Sequence, residues 1–390
     1  MSVRIFFLTF AFLTALVPSV FLLPRLRLRR WIQVLLIAAL FLVSSRFLAG
    51  LLFAGNMFHP AWPAAVVYTW SVLDTALSVF FFTHIPCYLF FRRISVRRRR
   101  VVTLALVLAS VIVTSVGLYE CVKIPHVREI TLDFKDLPPA FDGYRIAHLS
   151  DLHCSRMTPR SRFVEIVRRT NAAKPDLICL TGDYVDGWVG QIGDKLEPVS
   201  GFSAPDGVLA VPGNHEYYWD WSDWRSFLQN RGICVLENTW TNIVHGADSI
   251  VVAGLTDVTA QRAVKRMPDG SNARPGTVKF PRPDHQSAFA GAPDGSFRIL
   301  LFHRPHSTPL ASRRFNVKLQ LSGHTHGGVF PGPAWFVNRI NEHHVRGLYK
   351  EGDLQLYVSP GTGQWAGFPI RLFNPPEITV ITLKRYPPKN

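Results

Sequence analysis

Side chains that can bind metal ions recur along the C-terminal two-thirds of the sequence, each directly after a short apolar run. They are Asp151 and His153, Asp183, Asn214, His303, and the pair His324 and His326. Carboxylates and neutral imidazoles are ligands that suit Zn, Mn and Fe ions. Asp151 and His153 lie two residues apart in an extended segment, so their side chains point to the same side and can reach one ion. One such pair carries little weight, but five groups in one region indicate a metal site.

The apolar runs that precede these side chains have the length of buried β-strands. They cover residues 144–149, 177–180, 208–211, 299–302 and 319–321. Helical patterns separate several of them, and Thr158-Pro159 forms a helix start signal ahead of an apolar face. We therefore predict an α/β domain in which the carboxyl ends of the strands meet at one crevice. Glycines beside the candidate ligands allow the tight turns and close backbone approach that such a site needs.

Two further regions complete the predicted domain. Residues 258–296 are rich in Pro, Gly and charged residues, and we expect a loop-like excursion in which substrate specificity can diverge. Residues 354–358 and 378–383 are strand candidates near the C-terminus. The chain from residue 124 onward therefore has the pattern of one sizeable soluble domain.

Taken together, these motifs resemble those of the calcineurin-like metallophosphoesterases. The resemblance rests on Asp-x-His at 151–153, Gly-Asp at 182–183, Gly-Asn-His-Glu at 213–216, His303, and Gly-His-x-His at 323–326. It covers residues 140–385 and is closest to bacterial membrane-linked members, which share Gly-His-Thr-His-Gly-Gly and a similar tail at 369–378. The resemblance implies a β-sandwich flanked by helices in an αββα arrangement.

The resemblance also implies a centre of two divalent ions, of Mn, Zn or Fe. Asp151, His153 and His326 would hold the first ion, Asn214, His303 and His324 would hold the second, and Asp183 would bridge them. Two such ions lower the pKa of a bridging water towards neutrality. The resulting hydroxide would attack phosphorus in line, and the enzyme would be a metal-dependent phosphohydrolase.

Other polar residues near the motifs are candidates for roles beside the metals. His215 is expected to protonate the leaving oxygen or to steady the transition state. Glu216 would orient His215 or form a surface salt bridge, and His306 is an alternative to His303 as a ligand. Arg371 would contact the substrate phosphate or form a structural ion pair.

Four apolar stretches fill the N-terminal part of the chain, at about 5–23, 31–53, 64–91 and 101–121. Each is near the ~20 residues that a helix needs to cross a bilayer. We therefore predict a transmembrane module of four helices over residues 1–123 and a metallophosphoesterase domain over residues 124–390. Arg46 and Asp74 lie inside the second and third stretches and could pair with each other; alternatively, Arg46 snorkels and Asp74 is neutral.

The net charge of +16 is concentrated in the N-terminal part, where residues 1–123 hold 13 Lys and Arg but only Asp74 and Glu120 as acids. This distribution is typical of membrane topology and argues against nucleic-acid binding. Arginines follow the first stretch at 25–30 and the third at 92–100, whereas residues 56–63 contain no Lys or Arg. By the positive-inside rule, the arginine-rich loops are cytoplasmic, and both the N-terminus and the C-terminal domain are extracytoplasmic.

The leading hypothesis is a hydrolase of a phosphate monoester, diester or pyrophosphate at the outer face of a bacterial inner membrane, in the periplasm. Its connection to the bilayer favours a lipid-linked substrate. A cytoplasmic-facing pyrophosphatase of the lipid A pathway requires the opposite topology. A tethered phosphodiesterase for soluble substrates and a non-catalytic membrane scaffold are further alternatives. Five scattered cysteines without a C-x-x-C pair argue against a disulfide framework or a structural zinc site, and the oligomeric state stays open.

Overall fold

The computed structural model describes residues 3–54, 62–91, 93–265, 278–306, 308–328 and 333–386. The chain divides into two compact units. The first unit comprises Met1–Val122 with Ala366–Leu372, and the second comprises Lys123–Trp365 with Phe373–Asn390. The Ala366–Leu372 segment thus comes from the C-terminal part of the sequence but groups with the N-terminal helices.

The first unit is built from apolar helices. They are α1 (Val3–Val17), α2 (Arg30–Ser44), α3 (Arg46–Ala54), α4 (Ala64–Phe91) and α5 (Val96–Val122). A π-helical turn at Pro18–Leu22 and a 3-10 turn at Leu23–Leu26 extend α1. Within the described residues, three continuous segments are long and apolar enough to cross a membrane, namely Ile5–Leu26, Ala64–Cys87 and Val96–Val122.

The predicted span at 31–53 is not one continuous helix, because α2 and α3 meet at an angle of 59°. The Ser44 hydroxyl donates to the Phe41 carbonyl at 3.1 Å, and the Ser45 hydroxyl donates to the Leu42 carbonyl at 2.7 Å. Such bonds compete with the helical ladder and favour a kink. The expectation of four spans is therefore corrected to three, or four if the bent pair crosses as one.

Arg46 and Asp74 form a buried ion pair inside the first unit, as the first of the two sequence alternatives predicts. Nε of Arg46 lies 3.5 Å from Oδ2 of Asp74, and the guanidinium also donates to the Gly367 carbonyl at 3.1 Å. Cζ of the Arg46 guanidinium lies 4.0 Å from the centre of the Phe47 ring. A buried charge of this kind needs its partners, so the pair ties the Ala366–Leu372 segment to α3 and α4.

The same segment packs closely on α5 at Gly117. The Arg371 backbone N–H donates to the Gly117 carbonyl at 2.9 Å. A methyl group at position 117 would come within 2.7 Å of the Ile370 side chain. Only glycine allows this approach, so a side chain at position 117 would push the segment away from the helix.

In the described part of the second unit, the strands form two six-stranded mixed sheets. The first sheet has the order β1 (His126–Phe134), β12 (Glu377–Arg385), β2 (Arg145–Leu149), β3 (Leu177–Leu180), β4 (Val208–Ala210) and β5 (Cys234–Val235). The second has the order β10 (Gly347–Glu351), β11 (Leu354–Val358), β9 (Val317–Ser322), β8 (Phe297–Leu301), β7 (Asp248–Gly254) and β6 (Thr239–His245). The predicted α/β class is confirmed.

The second unit also contains helices, most of which cover the outer faces of the two sheets. They are α6 (Arg160–Ala172), α7 (Val189–Leu196), α8 (Asn214–Tyr218), α9 (Trp221–Gln229), α10 (His285–Ala288), α11 (Thr308–Phe315) and α12 (Pro333–Ile340). Leu177 and Cys179 of β3 join the core between the sheets, whereas Ile178 and Leu180 join the core beneath α6, α7 and α9. Residues of α10 and α11 pack on the far side of the second sheet. Alternate residues along a strand face opposite layers, and the layers follow the order αββα.

The predicted excursion at 258–296 contains a short 3-10 helix at Val258–Arg262 and the single turn of α10. Its residues 266–277 lie outside the described residues. Strands β2, β3 and β4 are parallel neighbours, as are β8 and β9. The segments that follow these strands therefore leave each sheet at the same end, where the carboxyl ends of the strands lie.

Candidate metal centre

The backbone bends sharply at the candidate ligands. Five of them adopt left-handed backbone angles, namely Asp151 (φ 55°), His153 (45°), Asp183 (55°), His324 (70°) and His326 (47°). Left-handed angles are uncommon for residues other than glycine, and such strain concentrates at functional sites. Each bend turns the chain away from its strand and directs the side chain into the crevice.

Close backbone approaches hold these bends in place. The Asp151 N–H donates to the Gly182 carbonyl at 2.9 Å, and the His153 N–H donates to the Asp183 carbonyl at 3.0 Å. A side chain at Gly182 would collide with the Gly213 backbone, and one at Gly323 would collide with the Asp151 carboxylate. The glycines of the motifs therefore let separate loops meet at van der Waals distance.

The first ligand cluster consists of Asp151, His153 and His326. The Nε2 atoms of the two histidines lie 3.1 Å apart. Oδ1 of Asp151 lies 3.9 Å from Nε2 of His153 and 3.5 Å from Nε2 of His326. Two imidazole nitrogens and a carboxylate oxygen thus converge on one point, which is the donor set of a divalent cation site.

The second ligand cluster consists of Asp183, His303 and His324. Nε2 of His303 lies 3.1 Å from Oδ2 of Asp183 and 3.2 Å from Nδ1 of His324. Oδ2 of Asp183 also lies 3.9 Å from Nε2 of His153, a member of the first cluster. The Asp183 carboxylate therefore stands between the two clusters.

Asn214 is the first residue of α8 and reaches the second cluster through an arginine. Its Oδ1 accepts a hydrogen bond from Arg304 at 3.4 Å, and the same guanidinium lies 3.0 Å from Nε2 of His324. The next backbone N–H, of His215, donates to Oδ1 of Asp183 at 2.8 Å. The start of α8 is thereby fixed against the central carboxylate.

Hydrogen bonds on the far side of each imidazole set the orientation of the ligands. Nδ1 of His303 bonds to the Thr181 carbonyl at 2.7 Å, and Nδ1 of His153 bonds to Asp186 at 3.1 Å. Both rings therefore present Nε2 to the clusters, as expected when an outer partner orients a metal-binding histidine.

Asp186 also bonds to Nδ1 of His215 at 2.5 Å. It is buried three residues after Asp183, and the sequence analysis did not select it. With His153 and His215 it forms a third group of metal-binding residue types, but its close contacts are to the outer nitrogens of the two rings. The sequence feature that could have identified Asp186 is its position as the second carboxylate of the Gly-Asp-x-x-Asp run at 182–186.

His215 lies beside the clusters with its side chain 13% exposed. Its Nε2 is 3.9 Å from Oδ2 of Asp183. Burial lowers the pKa of His215, but the carboxylates of Asp183 and Asp186 outweigh that effect and raise it to about 9. The ring therefore carries a proton at neutral pH and can donate it.

Glu216 has neither of its predicted roles. It is fully buried and accepts hydrogen bonds from the backbone N–H groups of Gly213 at 2.7 Å, Asp183 at 2.9 Å and Tyr184 at 2.6 Å. Burial and the nearby Asp183 raise the pKa of Glu216 to about 7. The Glu216 side chain thus connects the two loops that contain Asp183 and Asn214, and it fixes their positions relative to each other.

The charges of the second cluster balance one another. Burial opposes ionisation of Asp183, yet His303 and His215 hold its pKa well below the usual range. Burial lowers the pKa of His303, but the Asp183 carboxylate raises it to about 10. Burial and the Arg304 guanidinium lower the pKa of His324 well below its usual value. A proton on His303 thus supplies positive charge that a bound cation would replace.

The tail of the chain anchors the His326 loop. The Asn374 amide donates to the His326 carbonyl, and Arg346 donates to Oδ1 of Asn374 at 3.0 Å. Gly327 has a φ of 60°, and a side chain there would collide with Asn374. This contact gives the C-terminal Asn-Pro-Pro run a role in placing a ligand.

Two predicted candidates fall outside the two clusters. Arg371 is buried in the Ala366–Leu372 segment of the first unit, where its backbone N–H donates to the Gly117 carbonyl, and its contact with substrate stays a prediction. His303, and not the alternative His306, belongs to a ligand cluster among the described residues. Arg304, which was not selected from the sequence, contacts the candidate ligands His324 and Asn214 through its guanidinium.

Aromatic rings flank the ligands. The Trp365 ring stacks near His326 at 6.3 Å between centres and lies 6.1 Å from the His215 ring. The Tyr218 ring lies 5.4 Å from the His215 ring. These side chains give the cluster an apolar margin beside the proton donor.

Comparison with known proteins supports the same class of site. The model of the calcineurin-like phosphoesterase family matches residues 144–328. A Caenorhabditis elegans protein with metallophosphoesterase in its name is 35% identical over 289 residues, which are 72% of this chain and 57% of that protein. A Danio rerio transmembrane protein with metallophosphoesterase domain is 31% identical over 295 residues, which are 73% of this chain and 63% of that protein. The uncharacterised Bacillus subtilis metallophosphoesterase YkuE is 30% identical over 271 residues, which are 67% of this chain and 87% of that protein. The chain spans less than two thirds of the first two relatives.

Proposed function

Because the chain belongs to the calcineurin-like phosphoesterase family, we propose that it is a membrane-anchored hydrolase that uses two divalent ions to cleave a phosphoester or pyrophosphate. One observation carries the proposal. The Asp183 carboxylate stands between two clusters of imidazoles, 3.1 Å from His303 and 3.9 Å from His153. A carboxylate in that position can serve two cations held about 3.5–4 Å apart.

The residues present fit two such ions. Nε2 atoms of His153 and His326 face each other at 3.1 Å beside a carboxylate, an arrangement that a cation between them would satisfy. Asp151, His153 and His326 would hold the first ion, Asn214, His303 and His324 the second, and Asp183 both. Nitrogen and oxygen donors of this kind suit Mn, Zn or Fe. When bound, two such ions supply an activated water and neutralise charge on the phosphoryl oxygens.

The chain itself supplies the proton for the leaving oxygen. His215 is held through Nδ1 by Asp186 and directs Nε2 towards the clusters. Asp183 and Asp186 raise the pKa of His215 to about 9, and Asp186 still stabilises a protonated ring through Nδ1 when Asp183 is engaged by cations. Donation from Nε2 to the leaving oxygen then assists cleavage, as expected of a positioned general acid.

We infer that the hydrolase domain faces the outer side of the membrane and that its substrate is lipid-linked. The arginines at 25–30 and 92–100 flank apolar segments on one side, which favours a cytoplasmic position for them. Helix α5 ends at Val122 and β1 begins at His126, so the tether between membrane helix and hydrolase domain is short. A short tether favours a substrate that is held in the same bilayer.

The function is tested with detergent-purified protein that is stripped of metal and reloaded with Mn²⁺ or Zn²⁺. Turnover of p-nitrophenyl phosphate and of its bis ester is measured for the wild type, Asp183→Asn and Asn214→Ala. Asn242→Ala, at an exposed position of β6, is the matched control. Metal-dependent turnover that disappears in the two site variants supports the proposal. Failure of the protein to bind either metal would overturn it and revive the scaffold hypothesis.

Reporter fusions after residue 390 test the orientation separately. Alkaline phosphatase is active outside the cytoplasm, and green fluorescent protein fluoresces inside it. We expect an active alkaline phosphatase fusion and a dark fluorescent one, and the reverse pattern would place the domain in the cytoplasm.

A further inference from the structure

A guanidinium outside the predicted ligand set lies against the second cluster. Arg304 follows His303 directly in the chain, and its NH1 lies 3.0 Å from Nε2 of His324. Its NH2 lies 3.4 Å from Oδ1 of Asn214. The side chain keeps 18% of its surface exposed.

Arg304 is held in this position from behind. Its Nε donates to Oδ2 of Asp257 at 2.6 Å, and its NH2 lies 3.3 Å from Oδ1 of the same fully buried carboxylate. The Thr259 hydroxyl accepts from NH2 at 3.4 Å, and its backbone N–H donates to Asp257 at 2.8 Å. The excursion after β7 thus fixes the guanidinium before any substrate arrives.

A purely structural ion pair does not explain the direction in which the guanidinium points. The Nε edge satisfies Asp257, yet NH1 is directed at His324. A fixed positive charge beside a cation site is more favourable when an anion lies between them. The position is therefore suited to an anion that contacts both the cations and the arginine.

The donor chemistry of His324 leads to the same conclusion. Its Nδ1 faces Nε2 of His303 inside the cluster, and its Nε2 faces Arg304. A neutral imidazole that uses Nδ1 as a ligand carries its proton on Nε2 and cannot accept a hydrogen bond there. NH1 of Arg304 then needs another acceptor, and a phosphate oxygen is the acceptor that the reaction brings.

We propose that Arg304 binds the phosphate of the substrate and makes the enzyme selective for phosphomonoesters over diesters. This inference rests on the proposed hydrolase function. A monoester phosphate carries a charge of about −1.5 to −2 at pH 7 and has three terminal oxygens. A diester has one negative charge and only two such oxygens. The third oxygen and the extra charge of a monoester are what a fixed guanidinium recognises.

The test compares Arg304→Gln and Arg304→Lys with the wild type. The matched control is Arg225→Gln on α9, which removes a guanidinium that lies 3.0 Å from the Glu237 carboxylate. We expect Arg304→Gln to lower kcat/KM for p-nitrophenyl phosphate by about 10- to 100-fold, the effect of one charge-assisted hydrogen bond. The bis ester should lose less than about 3-fold, and Arg304→Lys should fall between wild type and Arg304→Gln.

Binding of inorganic phosphate to metal-loaded protein, measured by calorimetry, gives a readout that does not depend on turnover. Arg304→Gln should weaken it by a similar factor while metal content stays at the wild-type level. Equal losses for both esters, or unchanged phosphate binding, would refute the proposal, and loss of metal from Arg304→Gln would assign the residue a structural role instead. If the wild type cleaves neither ester, phosphate binding alone decides whether Arg304 is an anion site, and metal binding decides the hydrolase proposal separately.

Discussion

Replacing Asp186 by Asn tests whether one carboxylate supports both the first ligand cluster and the proton donor. Its two oxygens accept from Nδ1 of His153 at 3.1 Å and of His215 at 2.5 Å. Asn has the same shape but only one acceptor oxygen, because its other terminal atom is an NH2 donor. One of the two imidazoles must therefore lose its partner or turn away, although the volume of the side chain is unchanged.

The expected loss has two parts. Removing a group that orients a metal-binding imidazole lowers metal affinity or activity by about 10- to 100-fold. In addition, Asp183 and Asp186 overcome the effect of burial and raise the pKa of His215 to about 9. Without Asp186 this pKa falls, so His215 loses its proton at lower pH. The alkaline limb of the kcat profile should then move towards lower pH.

The assay is a pH profile of kcat on p-nitrophenyl phosphate, together with metal titration at pH 7. Asp194→Asn, at an exposed position of α7, is the matched control. A double-mutant cycle with His215→Gln separates the two parts, since the contribution through His215 must disappear in the double variant. An unmoved alkaline limb with wild-type metal affinity would show that Asp186 supports neither histidine, and the reasoning would be wrong.

Three further predictions concern charge and support. Without a cation, His303 has a pKa raised to about 10 and is protonated at pH 7. Metal binding to the second cluster should therefore release about one proton, and the metal affinity should increase as pH rises from 7 to 9. Calorimetry in buffers of different ionisation enthalpy measures the proton release, and its absence would contradict the prediction. Glu216→Gln should leave at least one buried backbone N–H unpaired and lower stability by about 1–3 kcal/mol, whereas exposed Glu129→Gln should change the unfolding temperature little. Asp74→Ala should leave Arg46 buried without its carboxylate and destabilise the first unit by about 3–5 kcal/mol, and replacing both residues by apolar ones should restore most of the loss in a detergent thermal-unfolding assay.

Sequence reasoning located the ligand clusters because strand ends are visible in a pattern of apolar runs. Asp183 and His303 come from different sheets, yet each follows a strand whose carboxyl end opens on the crevice. The side chains that meet there belong to segments far apart in the sequence, such as Asp151 and His326. No local pattern gives their distance, but the shared edge of the sheets requires them to be neighbours.

Features that depend on bonds between side chains and backbone were not predictable in this way. The bend between α2 and α3 arises from the hydroxyls of Ser44 and Ser45, which an average of hydropathy does not register. Glu216 has the sequence context of a residue that orients its neighbour His215. Its carboxylate nevertheless turns beneath the loop to accept three backbone N–H groups.

Asp186, Glu216 and Asp257 show why residue type alone does not assign a role at this site. All three are buried carboxylates, but they hold imidazoles, backbone N–H groups and a guanidinium respectively. Each oxygen pair is already engaged by donors of the protein, whereas Asp183 keeps an oxygen directed at imidazole nitrogens of both clusters. Amide substitutions should therefore separate the two kinds of carboxylate. At Asp183 the amide should abolish metal loading, while at the supporting positions it should at most weaken metal binding and should alter a pKa, a loop or phosphate affinity.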